Sequence, residues 1–248
     1  MMRPIPVLMY HRVGIPLFAS QDRFLNVSVK SLLKQLNLLV KLGYQSRTFH
    51  EVVTSTNLPE KTVVITFDDA FECVFEHALP ILEKVGYVAT TYAVTDFVGR
   101  TNIWEEGKNS SHHPLMSWER LADLQSKGWE IGGHTCSHPH LDVLDFEQTE
   151  AQLQHSAQEL DARLGAIGRS FCYPFGHYRA ETVDLISQAG FSGACTTKSG
   201  LFHRGTDIYQ VPRVKISYSD GALGLVYKLM VRPQMPDLRK ARRDLASK

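Results

Sequence analysis

Short apolar runs recur along the chain at intervals that suit strands alternating with helices. Seven of these runs have the length of a buried strand and consist mainly of apolar or β-branched residues. They are Pro6–Tyr10, Thr62–Phe67, Tyr87–Val94, Trp129–Gly132, Ser170–Tyr173, Phe191–Thr196 and Ile208–Val211. The pattern therefore predicts seven buried strands.

Segments with the spacing of amphipathic helices lie between these runs, and each ends close to a glycine. Val29–Leu42 has leucines three and four residues apart and stops before Gly43, a residue type that favours the backbone conformation at a helix end. Phe146–Leu164 follows Asp145, with Gln148 at the spacing of a capping box. Three further helices are predicted over Leu79–Val85, Trp118–Ser126 and Arg179–Ala189.

This alternation predicts an α/β protein with a largely parallel sheet, because parallel strands are joined by helical crossovers. About seven strands suit a closed or nearly closed barrel, and a chain of 248 residues fits a single domain of that kind. We expect the barrel over residues 1–220, followed by a basic helical tail over 221–248. In such a barrel the chemistry gathers at the C-terminal ends of the strands.

Charge narrows the range of partners. The 27 basic and 26 acidic side chains leave a formal net charge of +1, which gives no field suited to nucleic acid. The run from Leu238 is locally basic. It is interpreted either as a solvated helix end or as a peripheral contact with an anionic membrane.

The apolar segments and the cysteines of the chain indicate the cellular compartment in which the protein is expected. The N-terminal apolar run is short and broken by prolines, and no stretch approaches the 18 to 20 apolar residues of a spanning helix. The four cysteines form no C-x-x-C pair, so reduced thiols are expected. These features predict a cytoplasmic protein, with association at the inner membrane through the basic tail as a further hypothesis.

Two motifs at predicted strand ends carry candidate chemistry. In VVITFDDA, Asp68 and Asp69 follow a buried strand, where adjacent carboxylates are costly unless a positive group neutralises them. In GGHTCSHPHL, His134 and His138 are four residues apart. Taken alone, each motif is also compatible with a solvated surface turn.

Taken together, the motifs favour a metal site, because a barrel brings the C-terminal ends of its strands to one mouth. Two imidazoles and one carboxylate bind a divalent ion and leave positions open for water and substrate. The remaining aspartate is then free to act as a base. The other histidines, His77, His140 and His177, are interpreted as structural or surface residues.

The chain resembles the polysaccharide deacetylases of carbohydrate esterase family 4, also called the NodB homology family. TFDD at Thr66–Asp69 is similar to the first family motif, and HTCSH at His134–His138 matches H-(S/T)-x-x-H, the second. The resemblance runs from Pro6 to Ile216. It implies a distorted (β/α)7 barrel that hydrolyses N-acetyl groups on sugars.

The resemblance also implies residue roles. Asp68 would be the general base, and Asp69, His134 and His138 would hold a divalent metal ion. Zinc is favoured, and cobalt, nickel and iron also suit such a donor set.

The third family motif, R-x-P-(Y/F/W)-G, corresponds to Cys172–Gly176 in this chain. Tyr173, Pro174, Phe175 and Gly176 are predicted to line the substrate groove, with the Phe175 amide as an oxyanion donor. The arginine that orients the base in the family is replaced by cysteine. Arg213 is the candidate to take its place, and a surface ion pair is the alternative.

The family's C-terminal L-x-H motif, which supplies the general acid, does not follow the last predicted strand. Leu201–His203 fits the letters but comes too early in the chain. PVLMYHRV at Pro6–Val13 is similar to the opening of a subgroup that acts on poly-N-acetylglucosamine and has a circularly permuted barrel. His11 is therefore the first candidate for the acid, with His203 or a purely structural His11 as alternatives.

These observations predict a metal-dependent de-N-acetylase whose partner is an N-acetylated glycan or its precursor. Two alternatives stay open. One is a degenerate member of the fold that binds glycan without turnover, as the replaced arginine suggests. The other is a non-haem iron oxygenase, which also uses two histidines and a carboxylate but on a different framework.

Overall fold

The computed structural model describes residues 3–14, 24–104 and 112–231. Its strands, in chain order, are β1 (Val7–Tyr10), β2 (Arg12–Val13), β3 (Asn26–Val27), β4 (Gln45–Arg47), β5 (Thr62–Phe67), β6 (Thr90–Ala93), β7 (Glu130–Gly133), β8 (Phe171–Cys172), β9 (Ala194–Ser199) and β10 (Val211–Lys215). Seven of them form a closed parallel ring in the order β1, β5, β6, β7, β8, β9, β10. The ring closes because β1 pairs with both β5 and β10.

The helices are α1 (Val29–Lys41), α2 (Phe49–Thr54), α3 (Leu79–Val85), α4 (Trp118–Ser126), α5 (Phe146–Leu164), α6 (Ala180–Gln188) and α7 (Ala222–Val226). A π-type turn over Val74–Ala78 leads into α3, and another over Tyr227–Val231 follows α7. Short 3-10 turns cover Thr95–Phe97 and Pro174–Gly176.

The predicted single-domain (β/α)7 barrel is confirmed, and each ring strand overlaps one of the seven predicted runs, although β10 does so only at Val211. The bounds of α3, α4 and α5 agree with the prediction to the residue. The capping box of Asp145 and Gln148 is present, and Gly43 has the positive φ of 78° that its position requires.

Several elements differ from the prediction. The last ring strand begins at Val211 rather than Ile208, because Asp207 accepts from the Tyr209 amide and holds the preceding residues in a turn. Helix α2 and the short strands β2, β3 and β4 were not predicted. The signal for α2 is the capping box of Thr48 and Glu51, which lies outside the apolar pattern.

Alternation along the strands decides which side chains reach the barrel interior. On β5, Val64 belongs to the inner apolar cluster, whereas Val63, Ile65 and Phe67 pack against the helices. Because successive side chains point to opposite faces, the side chain of Asp68 points to the same inner face as that of Val64, four residues earlier. The same rule applied to β10 brings Arg213 into the interior.

A buried carboxylate organises the N-terminal end of the barrel. Oε1 of Glu130 accepts from the backbone N–H and the hydroxyl of Ser170, at 2.7 and 2.6 Å. Oε2 accepts from the His50 amide at 2.8 Å and from the Thr90 hydroxyl at 2.9 Å. Glu130 therefore ties the start of α2 to strand β6 and to the residue before β8.

The C-terminal part of the described chain packs on the barrel. Leu225 and Leu229 belong to the core cluster, and the Gln35 side chain donates to the Asp220 carbonyl at 2.6 Å. The basic run from Leu238 lies outside the described residues, so its helical structure and membrane contact stay predictions. Among the described helices, none has the length and apolar character needed to cross a bilayer.

We predict that Glu130→Ala lowers the free energy of unfolding by at least about 3 kcal/mol, because four buried or partly buried donors lose their acceptor. Glu130→Gln is the matched control, since its amide retains one acceptor oxygen and should cost clearly less. Urea denaturation of both variants measures the difference. Equal destabilisation by the two substitutions would contradict this role for the carboxylate.

Candidate active site

Asp68 and Arg213 form a buried, bidentate ion pair at the mouth of the barrel. Nη1 and Nη2 of Arg213 donate to Oδ1 and Oδ2 of Asp68 at 2.7 and 2.8 Å. Arg213 also donates to the Thr196 carbonyl and the Thr66 hydroxyl, at 2.8 and 2.9 Å. Its guanidinium is fixed by four acceptor atoms, and both members of the pair are almost fully buried.

The pair keeps Asp68 ionised. Burial alone would raise the pKa of this carboxyl, but the charge of Arg213, with a smaller contribution from His11, lowers the pKa below its ordinary value. Arg213 is the residue that the sequence predicts as the substitute for the arginine of the third family motif. Its Nη2 lies 3.2 Å from the sulfur of Cys172, the residue at the family's arginine position.

Asp69, His134 and His138 form a second buried group beside this pair. Nε2 of His134 lies 3.4 Å and Nε2 of His138 lies 3.3 Å from Oδ1 of Asp69. All three side chains are buried, and their ligand atoms lie within 4.8 Å of one another. Burial raises the pKa of Asp69, but the two histidines outweigh it and bring the pKa well below its ordinary value.

The geometry of this group fits a divalent cation. Oδ1 of Asp69 is buried and has no aligned hydrogen-bond donor among the described residues. Ligand atoms bonded at about 2.0–2.1 Å to one tetrahedral ion lie about 3.3–3.4 Å apart, which is the separation from Oδ1 to each imidazole nitrogen. The donor set of two imidazoles and a carboxylate suits zinc, nickel, cobalt or iron.

The protein orients the two imidazoles in different ways. Nδ1 of His134 lies 2.6 Å from the Cys172 carbonyl, which can only accept, so this nitrogen carries the proton and Nε2 keeps its lone pair. Nδ1 of His138 has no hydrogen-bond partner among the described residues. Instead, Trp104 stacks on the His138 ring at 4.7 Å, and Phe175 contacts it edge-on at 4.5 Å.

A tight turn brings His134 and His138 together. Thr135 has a φ of 66°, and its hydroxyl donates to the His134 carbonyl and accepts from the His138 amide. Gln152 on α5 accepts from the amides of Cys136 and Ser137 at 3.0 and 3.1 Å. The Cys136 thiol donates to the Gln152 carbonyl, so it does not join the metal group.

Several site residues have a backbone that favours glycine. Asp69, Ala70 and His138 have φ values of 70°, 55° and 59°. Such conformations cost free energy for residues with a Cβ, and they cluster at functional sites. Ala70, which directly follows the two aspartates, is therefore in a strained position.

The two candidate acids lie at opposite ends of the barrel. Nε2 of His11, just beyond β1, lies 3.6 Å from Oδ2 of Asp68. Burial lowers the pKa of His11 more than the nearby carboxylates raise it. His203 follows Phe202, which bridges to Ile5 before the start of β1. That is roughly 16 Å along the strand from Tyr10, so His203 cannot contact Asp68.

Only part of the predicted groove is exposed. Tyr173 is buried, and its hydroxyl donates to the Tyr209 carbonyl. Pro174 is buried as well, so neither of these two side chains is exposed for the predicted contact with sugar. Phe175 is 39% exposed beside His138. Gly176 is required because a Cβ there would lie 1.9 Å from the Thr197 hydroxyl.

Comparisons with known proteins agree with this architecture. The family model for polysaccharide deacetylase matches residues 55–194. The putative polysaccharide deacetylase YxkH of Bacillus subtilis is 28% identical over 217 residues, which cover 86% of this chain and 71% of that protein. The poly-beta-1,6-N-acetyl-D-glucosamine N-deacetylase of Staphylococcus epidermidis is 24% identical over 168 residues, 64% of this chain and 56% of that protein.

Solved structures of similar fold include the Streptococcus pyogenes deacetylase PplD in complex with acetate, with a TM-score of 0.78 and 20% identity over 92% of this chain and 99% of that one. IcaB from Ammonifex degensii has a TM-score of 0.72 and 25% identity, covering 86% of this chain and 92% of that one. The family match spans more than half of the sequence, and the chain belongs to the polysaccharide deacetylase family.

Proposed function

We propose that the protein removes N-acetyl groups from a polymer or precursor of N-acetylhexosamine and depends on a divalent cation, preferably zinc. The observation that carries the proposal is the buried Asp68–Arg213 pair beside Asp69, His134 and His138. It unites a fixed, ionised carboxylate with a set of ligands whose spacing fits one ion. The reaction yields acetate and a free amine on the sugar.

Asp69, His134 and His138 would hold the cation. When bound, such an ion supplies Lewis acidity to the acetamide carbonyl. Asp68 accepts a proton from the attacking water, since it is the carboxylate outside the ligand set. Arg213 fixes both oxygens of Asp68 and keeps the carboxylate ionised.

His11 is the proposed general acid for the leaving nitrogen. It is the histidine beside Asp68 and outside the ligand set, and its side chain is 16% exposed. The proton that Asp68 takes from water can therefore pass to Nε2 of His11, which lies 3.6 Å away, and from His11 to the leaving nitrogen. The exposed Phe175 ring and its backbone amide are proposed to contact the N-acetyl group at the mouth of the barrel.

Poly-N-acetylglucosamine is the proposed substrate class. The support is the similarity to a poly-beta-1,6-N-acetyl-D-glucosamine N-deacetylase, together with the PVLMYHRV opening. This chain spans 56% of that relative, so the activity of the whole relative comes to it only as a proposal. A cytoplasmic location, taken from the sequence, is likewise a prediction that cell fractionation tests.

We predict that dialysed wild-type protein and the Asp68→Asn variant each retain about one zinc ion, whereas His134→Ala and Asp69→Ala lose it, because three ligands define the site. Elemental analysis of each purified protein measures the content. His203→Ala, at the far end of the barrel, is the control and should retain zinc. Full zinc content in His134→Ala with an unchanged circular dichroism spectrum would refute the ligand assignment.

We also predict that Asp68→Asn lowers acetate release at least about 100-fold while zinc remains bound, because the base is lost. The assay uses β-1,6-linked N-acetylglucosamine oligomers of several lengths and measures acetate and free amine together. It is run without oxygen or a 2-oxo acid, so product formation separates the hydrolase from an oxygenase. A zinc-loaded wild type that binds every oligomer without releasing acetate would favour the degenerate, glycan-binding alternative.

A further inference from the structure

A second group with the same donor types lies on the surface of the barrel mouth. His140 and Asp142 follow β7, and His177 follows the 3-10 turn after β8. One ligand atom from each lies within 4.8 Å of the other two. The sequence indicates only structural or surface roles for these histidines, because nothing in their spacing joins residue 177 to residues 140 and 142.

Local contacts hold the three side chains close together. Nδ1 of His177 lies 3.2 Å from Oδ2 of Asp142, and the His140 and His177 rings are 5.3 Å apart and almost perpendicular. Arg179 donates to the Asp142 carbonyl at 2.9 Å and fixes that loop. The His140 ring stacks on Phe175 at 4.0 Å with an interplanar angle of 7°.

The group has unused coordinating capacity. Oδ1 of Asp142 is buried and has no hydrogen-bond donor among the described residues. The Asp142 side chain as a whole is 38% exposed, and a cation bound there would give Oδ1 the partner that it lacks. The exposed His140 and His177 can rotate to converge on an ion and leave its other positions to water.

We propose that His140, Asp142 and His177 form a second site for a borderline divalent cation, with Zn²⁺ as the probe. Imidazole nitrogen selects zinc, nickel or copper over magnesium and calcium. The site is weaker than the buried one, because its side chains are partly solvated and lose rotamer freedom when they converge.

The second site adjoins the first through one ring. Phe175 packs its face on His140 at 4.0 Å and contacts His138 at 4.5 Å. A cation at the surface site would restrain His140 and, through it, Phe175. Cation binding at His140, Asp142 and His177 does not depend on the deacetylation chemistry.

The test is a zinc titration of the full chain in competition with a chromogenic chelator. Wild type should bind one equivalent of zinc tightly at the buried site and a second equivalent more weakly at the surface site. His177→Ala and Asp142→Asn should each weaken the second equivalent at least about tenfold and leave the first unchanged. His134→Ala should remove only the tight equivalent, and the exposed His203→Ala should retain both.

Two results would overturn the proposal. One is a wild-type protein that binds a single equivalent of zinc, which His134→Ala removes. This result would support the buried site and refute the surface site. The other is a weaker equivalent that persists unchanged in His177→Ala and Asp142→Asn. Loss of that equivalent in His155→Ala would instead assign it to Asp96, Cys136 and His155, the third group of possible ligands among the described residues.

Discussion

The ion pair of Arg213 and Asp68 closes the top of the barrel interior, and the geometry of the site depends on it. Both groups are almost fully buried, so each would carry a large desolvation cost without the other. The bidentate geometry, with further acceptors at Thr66 and Thr196, satisfies the guanidinium. The result is a carboxylate that is ionised and fixed in orientation before substrate arrives.

Cys172 connects this pair to the metal ligands. Its carbonyl accepts from Nδ1 of His134, and its sulfur lies 3.2 Å from Nη2 of Arg213. Strand β8 therefore positions one imidazole through the backbone and contacts the arginine through the side chain. The same residue stands where the family motif has arginine, and the arginine from β10 lies directly against its sulfur, beside Asp68.

The sequence predicted the barrel well, because strand and helix periodicities in this fold come from burial that repeats with each βα unit. It also indicated Arg213 and His11. This chain lacks the arginine and the general acid at their usual motif positions, so substitutes were sought elsewhere in the sequence. It did not predict the contact of Trp104 with His138 or the contact of Gln152 with the HTCSH turn, although Trp104 was expected in a loop over the barrel mouth. Such contacts depend on tertiary packing and leave no local pattern.

Exposure was the least predictable property of the site. Tyr173 and Phe175 are two residues apart in one motif, yet the first is core and the second lies at the mouth. The positive φ of 57° at Phe175 turns the chain there, and only the folded backbone reveals it. His203 matches a family motif in letters but lies at the opposite end of the barrel, because Phe202 pairs with Ile5.

The role of Arg213 can be tested by moving the arginine back to its family position. The measurement is kcat/KM for acetate release by zinc-loaded Arg213→Cys and by the double variant that adds Cys172→Arg. The role of Arg213 as the group that orients the base predicts a fall of about 100-fold in the single variant and substantial recovery in the double variant. Wild-type kcat/KM in Arg213→Cys, with zinc bound and the fold intact, would contradict it.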